Sequence, residues 1–79
     1  MTIGALYGPT TEVQTQEEAD ALFERLVTRC MAFGNTREEA EKIERGNIGY
    51  YAGYSDSATR RRVLRLFCCV HPWLEPSLP

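Results

Sequence analysis

Apolar residues recur every three or four positions in two long stretches of the chain, which is the spacing of one face of an α-helix. The first stretch contains Ala19, Leu22, Phe23, Leu26, Cys30 and Phe33. The other, near the end of the chain, contains Val63, Leu66, Phe67 and Val70. A third helix is predicted between them, so the pattern indicates an all-α domain with a small three-helix fold.

Polar residues mark where the helices begin and end. Thr15-Gln16-Glu17-Glu18 and Thr36-Arg37-Glu38-Glu39 are capping boxes, in which the Thr and the second Glu accept hydrogen bonds from each other's backbone N–H groups. Gly34 suits the left-handed residue that follows a helix, and Pro72 stops the third helix. We therefore expect helices at about residues 16–33, 37–54 and 57–70.

The segment from residue 46 to residue 54 holds three of the six glycines and three of the four tyrosines. It is either a loop, because glycine suits positive φ, or the end of the second helix. Helical spacing favours the helix and is shown by Ala40, Ile43, Asn47, Tyr50 and Tyr54. Each interior glycine costs about 1 kcal/mol relative to alanine. We therefore expect another backbone to pack closely against the adjacent stripe of Gly46, Gly49 and Gly53.

The two faces of the second helix are expected to differ. Tyr50 and Tyr54, each taken alone, are expected to be core residues whose hydroxyl groups reach the surface. The opposite face is expected to be solvated and carries Glu38, Glu41, Lys42, Glu44 and Arg45. Residues 1–14 and 71–79 lack a helical period, so we expect an extended N-terminal arm and a proline-rich tail around one domain.

Length and charge limit the function. The chain has 79 residues, 43% of them hydrophobic, and a formal charge of −2. That size suits one domain, and the charge argues against a general polyanion binder, which is usually basic. Neither a signal-peptide pattern nor an apolar run of membrane-spanning length is present in the sequence. We therefore expect a cytoplasmic protein with no membrane association and with reduced thiols.

The candidate reactive residues do not form a recognised site. Cys30, Cys68, Cys69 and His71 are four possible zinc ligands, but their spacing does not match the usual zinc templates. Cys69 lies two residues before the single histidine, yet no oxyanion loop accompanies it. We therefore expect no metal site, no cofactor and no catalytic residue.

The run Gly49-Tyr50-Tyr51-Ala52-Gly53-Tyr54, followed by Thr59-Arg60, Val63, Phe67 and His71-Pro72, resembles a pattern in small helical proteins of bacteria and their phages. The similarity covers roughly residues 33–73. It implies an all-helical fold and a phage or mobile-element origin. It implies no activity, since none is known to us for such proteins.

Tyrosine, tryptophan and arginine are the residues that dominate protein interfaces. The candidate partner-binding residues are Tyr51, Tyr54, Arg61, Arg62, Arg65 and Trp73. The leading hypothesis is a non-catalytic protein-interaction or inhibitor-type module, which binds a protein partner or forms a homodimer through the glycine stripe. The alternative is a helix-turn-helix-like DNA-binding regulator that uses the arginines of the third helix.

Overall fold

The computed structural model describes residues 7–68, and three α-helices account for most of them. They are α1, Gln16–Ala32; α2, Arg37–Ala52; and α3, Ser57–Leu66. α1 packs against α2, and α2 packs against α3. The predicted all-α, three-helix fold is confirmed. The predicted tail and residues 1–6 of the predicted arm lie outside the described residues.

Both predicted capping boxes are present. Thr15 Oγ1 accepts from the Glu18 backbone N–H at 3.1 Å, and Glu18 Oε1 accepts from the Thr15 N–H at 3.2 Å. Thr36 and Glu39 repeat the arrangement at 3.1 and 2.9 Å. Because these bonds satisfy N–H groups that have no partner inside a helix, they set where α1 and α2 begin.

Two helices end earlier than predicted. α2 ends at Ala52, and the next turn continues with shorter i→i−3 bonds, such as Tyr54 N–H to Tyr51 O at 3.1 Å. α3 ends at Leu66, because Cys68 has a positive φ of 54° that cannot extend a right-handed helix. Gly34 has the predicted positive φ, 105°, after α1.

The core is built from every element that the structure describes. Its main cluster comprises Tyr7, Val13, Ala19, Leu26, Ile48, Ala52, Val63, Leu64, Leu66 and Phe67. Ile48 and Val63 are fully buried. A smaller cluster of Val27, Cys30 and Ala40 lies between α1 and α2, and Phe23 packs against both clusters. Burial of these apolar side chains is the main stabilising contribution for a domain of this size.

Residues 7–13 belong to the described part of the arm and pack against the helices. Gly8–Thr11 form a 3-10 helix, and Tyr7, Thr10 and Val13 are buried. Arg62 Nη2 on α3 donates to the carbonyl oxygen of Thr11 at 2.6 Å, which ties the arm to α3. The described part of the arm is thus integral to the core, and its 3-10 turn was not predicted from the sequence.

α2 is rotated relative to the predicted orientation. Four of its five buried positions lie four residues apart, at Ala40, Glu44, Ile48 and Ala52, and the fifth is Gly49. Tyr50 is 53% exposed and Tyr54 is 76% exposed. The prediction that these tyrosines are core residues is therefore wrong, and so is the assignment of Glu44 to the solvated face. The small side chains of the two alanines let neighbouring elements approach, and Tyr7 of the arm covers Glu44.

The three glycines of α2 have different surroundings. Gly49 is buried, and Gly53 is half-buried at the end of the helix. Gly46 is exposed, and a Cβ placed on it would meet no heavy atom within 4 Å. The prediction of close packing is therefore wrong at Gly46 within this chain, because this part of α2 faces away from the core.

Substitution of two isoleucines on α2 tests its orientation. Ile48→Ala is expected to lower the free energy of unfolding by about 2–5 kcal/mol, because it leaves a cavity at a fully buried position. Ile43→Ala is expected to cost less than about 1 kcal/mol, since Ile43 is 42% exposed. Urea unfolding followed by circular dichroism measures both, and equal losses would contradict the observed rotation.

Candidate functional site

The four tyrosines of the chain form a continuous row of ring contacts, which we call the tyrosine cluster: Tyr7, Tyr51, Tyr50 and Tyr54. Tyr7 and Tyr51 are stacked, with ring centroids 5.1 Å apart and an interplanar angle of 8°. Tyr51 and Tyr50 meet edge to face at 5.2 Å, and Tyr50 meets Tyr54 in the same manner at 5.5 Å. The row therefore runs from the buried arm, across the last turn of α2, to the exposed ring of Tyr54 just after the helix.

The buried end of the cluster is fixed by hydrogen bonds to α2. The Tyr7 hydroxyl donates to Glu44 Oε1 at 2.9 Å and accepts from Asn47 Nδ2 at 3.0 Å. Glu44 is only 6% exposed, and a buried carboxylate without a donor would be strongly destabilising. Burial, with a further contribution from Glu44, raises the pKa of Tyr7 to about 12.

The exposed end of the cluster is held by contacts along α2 itself. Tyr50 and Tyr54 are one helical turn apart, and their hydroxyl oxygens are 3.0 Å apart in a hydrogen bond. This bond is the main cause of the raised pKa of Tyr54. Ile43 lies two helical turns before Tyr50, on the same side of α2. We define the outward face of α2 as Ile43, Gly46 and Tyr50 of the helix together with Tyr54 of the turn that follows it.

The two arginines of α2, Arg37 and Arg45, have partners within the chain. Arg37 donates to Glu24 on α1 at 2.6 and 2.8 Å and to Glu41 at 3.0 Å. The guanidinium carbon of Arg45 lies 5.0 Å from the centroid of the Phe23 ring. The contacts of Arg37 with Glu24 and of Arg45 with Phe23 join α1 to α2, so these two charges are part of the helix–helix interface.

The arginines of α3 divide into two groups. Arg60 and Arg62 are partly buried, and Arg62 donates to the carbonyl oxygen of Thr11, as described above. Arg61 and Arg65 are exposed, and neither forms a salt bridge with any residue of the described range 7–68. Their spacing of four residues places them on the same side of α3. The predicted arginine face is thus reduced to two freely accessible guanidinium groups.

The predicted binding residues are only partly brought together. Tyr54 lies on the outward face of α2, and Tyr51 is half-buried between Tyr7 and Tyr50. Trp73 lies outside the described residues. The sequence pattern did not identify Tyr50 as an exposed contact residue. Tyr50 is exposed because α2 is rotated relative to the predicted orientation, so that Glu44 faces Tyr7 of the arm.

Cysteine and carboxylate chemistry gives no alternative site in the part of the chain that is described. Cys30 is buried, and its Sγ accepts from Asn35 Nδ2 at 3.2 Å. Cys68 is exposed. Cys69 and His71 lie outside the described residues. Among residues 7–68, no group of three or more His, Cys, Asp or Glu side chains is arranged to hold a metal ion.

Comparison of the chain with protein-family models, with curated proteins and with solved structures finds no match. Within the described range, none of the helices has both the length and the apolar character needed to cross a membrane. The functional conclusion therefore depends on the outward face of α2.

Removal of the Tyr7 hydroxyl tests the buried end of the cluster. Tyr7→Phe is expected to lower the free energy of unfolding at neutral pH by about 1–3 kcal/mol, because Glu44 loses its donor. The matched control Tyr50→Phe removes an exposed hydroxyl and is expected to change stability by less than about 0.5 kcal/mol. Chemical unfolding of both variants provides the comparison.

The raised pKa of Tyr7 predicts a loss of stability at alkaline pH. The folded state holds this proton up to a pKa of about 12, whereas the unfolded chain releases it near 10. The stabilisation is complete below pH 10 and is lost as pH rises towards 12, by on the order of 2 kcal/mol. Tyr7→Phe lacks the group, so its stability should fall less over this interval. Parallel curves for the two proteins would show that Tyr7 does not contribute.

Proposed function

We propose that this protein is a non-catalytic protein-binding module and that the outward face of α2 is its contact surface. The observation that carries the proposal is the exposure of three large apolar or aromatic side chains on one side of α2 and of the turn that follows it. Ile43 is 42%, Tyr50 53% and Tyr54 76% exposed. Burying them against a partner would remove apolar area from water, which favours association.

The conformation of the tyrosines supports this role. Each of the exposed rings contacts another ring, and the row is anchored at Tyr7 in the core. Side chains that are ordered before binding lose little conformational entropy on binding. Tyrosines of this kind are frequent among the residues that contribute most to protein–protein affinity. The face therefore offers a preformed aromatic contact on a rigid helix.

Charge adds a second component to the proposal. Arg61 and Arg65 are accessible on α3, which follows α2 after a four-residue connection. Unpaired charges at the rim of an interface mainly increase the association rate with a partner of opposite charge. The partner we propose is thus a protein with an exposed apolar surface close to acidic residues. An inhibitor-type role, in a phage or mobile element and in the cytoplasm, would use the same face.

DNA binding is the second candidate. It is favoured by the two accessible arginines on α3, which could contact phosphate groups. However, the chain has a net charge of −2, and Arg62 is engaged by the arm. Two free guanidinium groups provide little of the phosphate neutralisation on which such binding depends. We therefore place protein binding first.

The proposal is tested by affinity capture with matched baits. The test bait carries Tyr50→Ser and Tyr54→Ser, and the control bait carries Phe33→Ser, which removes an 82% exposed aromatic ring outside the outward face. Circular dichroism first confirms that both baits are folded. We expect the wild-type and control baits to retain at least one protein, quantified by mass spectrometry, that the double variant retains about tenfold less.

The opposite result is equally clear. If every retained protein is captured equally by all three baits, and the wild-type chain does not self-associate, the outward face of α2 is not a binding surface.

A further inference from the structure

Three large residues and two glycines follow one another along the exposed side of α2. Glu39, Ile43, Gly46, Tyr50 and Gly53 follow one another at intervals of four, three, four and three residues. This is the spacing of the contact seam in a two-helix coiled coil. Of these five, Glu39, Ile43, Gly46 and Tyr50 are exposed. The exposed side of α2 therefore has the residue spacing of a surface on which a second helix can pack.

Gly46 forms a notch between Ile43 and Tyr50. Glycine lowers helix stability relative to alanine in a helix interior. A Cβ at this position would meet no heavy atom within 4 Å, so packing within the chain does not require glycine here. A glycine does allow a large side chain of another helix to come close to the backbone. The notch therefore has space for an aromatic ring from a second helix.

The ring that fits the notch is present on the same face. If two α2 helices pack antiparallel about a two-fold axis level with Ile48, Tyr50 of each copy lies over Gly46 of the other. In the same register, Ile43 lies beside Gly53 and Tyr54 of the second copy. A two-fold axis forms every such contact twice. We propose that a second copy of this chain packs on the outward face of α2 in this antiparallel register. This inference rests on the proposed function and names its partner.

Charge favours the same orientation. The antiparallel register brings the acidic first turn of α2, Glu38 and Glu39, towards the start of the second copy's α3. α3 contains four arginines, and the one acidic residue beside them is its N-cap, Asp56, so the start of α3 keeps a net positive charge. Arg61 and Arg65 lack a salt-bridge partner among residues 7–68. A parallel arrangement would instead bring the two acidic turns together. It would also place the two notches opposite each other and leave them unfilled.

Light scattering after size exclusion tests the association. We expect the wild-type chain to have twice the monomer mass and Gly46→Arg to have the monomer mass, with a dissociation constant raised at least about tenfold. The fold tolerates this substitution because the space around Gly46 is open, and circular dichroism checks that it does. Thr28→Arg, on the exposed side of α1, is the matched control and should remain dimeric.

The register is tested by one distance between spin labels. The labelled chain carries Glu38→Cys for the nitroxide, and Cys68→Ser and Cys69→Ser remove competing thiols. The nitroxide then lies near one end of each α2. In the antiparallel register the two labels are separated along the helices by 20 residues, or roughly 30 Å. A separation below roughly 20 Å indicates a parallel pair and overturns the proposed register.

The outcomes separate this inference from the proposed function. A wild-type chain that stays monomeric at about 1 mM overturns the dimer. The protein-binding role still stands if the Tyr50 and Tyr54 variant loses a captured protein. A dimer that persists in Gly46→Arg also overturns the inference, because its contact would lie elsewhere on the molecule.

Discussion

The hydrogen bond from Tyr7 to Glu44 stabilises the orientation of α2 in which Glu44 faces the core. A carboxylate is costly to bury, because it gives up its hydration. The arm supplies a donor at 2.9 Å and an aromatic ring that covers Tyr51. With Glu44 satisfied inside, the positions on the opposite side of the helix must face outwards. The exposure of Tyr50 and Tyr54 is thus a consequence of a bond formed on the far side of α2.

The arm also connects elements that are distant in the sequence. Tyr7 contacts α2, and the Thr11 carbonyl oxygen accepts from Arg62 on α3. Gln16, where α1 begins, donates from Nε2 to the carbonyl oxygen of Leu66 at 2.7 Å. These polar contacts lie around the main apolar cluster and close one end of the three-helix arrangement. A small domain with limited apolar burial depends on such contacts for a unique packing.

Local features of the sequence were sufficient to predict the helices. Thr15 with Glu18 and Thr36 with Glu39 form their hydrogen bonds within four residues, so the start of each helix follows from neighbouring residues alone. The rotation of α2 was not predictable in the same way. Ala40 and Ala52 are compatible with either side of a helix, and Glu44 is usually a surface residue. Its burial requires Tyr7, which is 37 residues away.

The candidate site, like the helices, could be predicted from the sequence only in part. The sequence identifies the segment rich in glycine and tyrosine, and the structure shows that Gly49 and Tyr51 face inwards while Gly46 and Tyr50 face outwards. Residues adjacent in the chain therefore have opposite roles. Spacing alone defines the angle between two side chains, but the direction of the core is defined by what packs on the helix.

The contacts of the arm have a consequence for folding kinetics. α1 and α2 are joined by a short connection, and so are α2 and α3, so these helices meet through contacts that are close in sequence. The bonds that fasten the arm span 37 to 51 residues. Contacts between distant residues require the closure of large loops, which slows their formation. The helices are therefore expected to associate before the arm docks, and docking of the arm would be the final step that selects the orientation of α2.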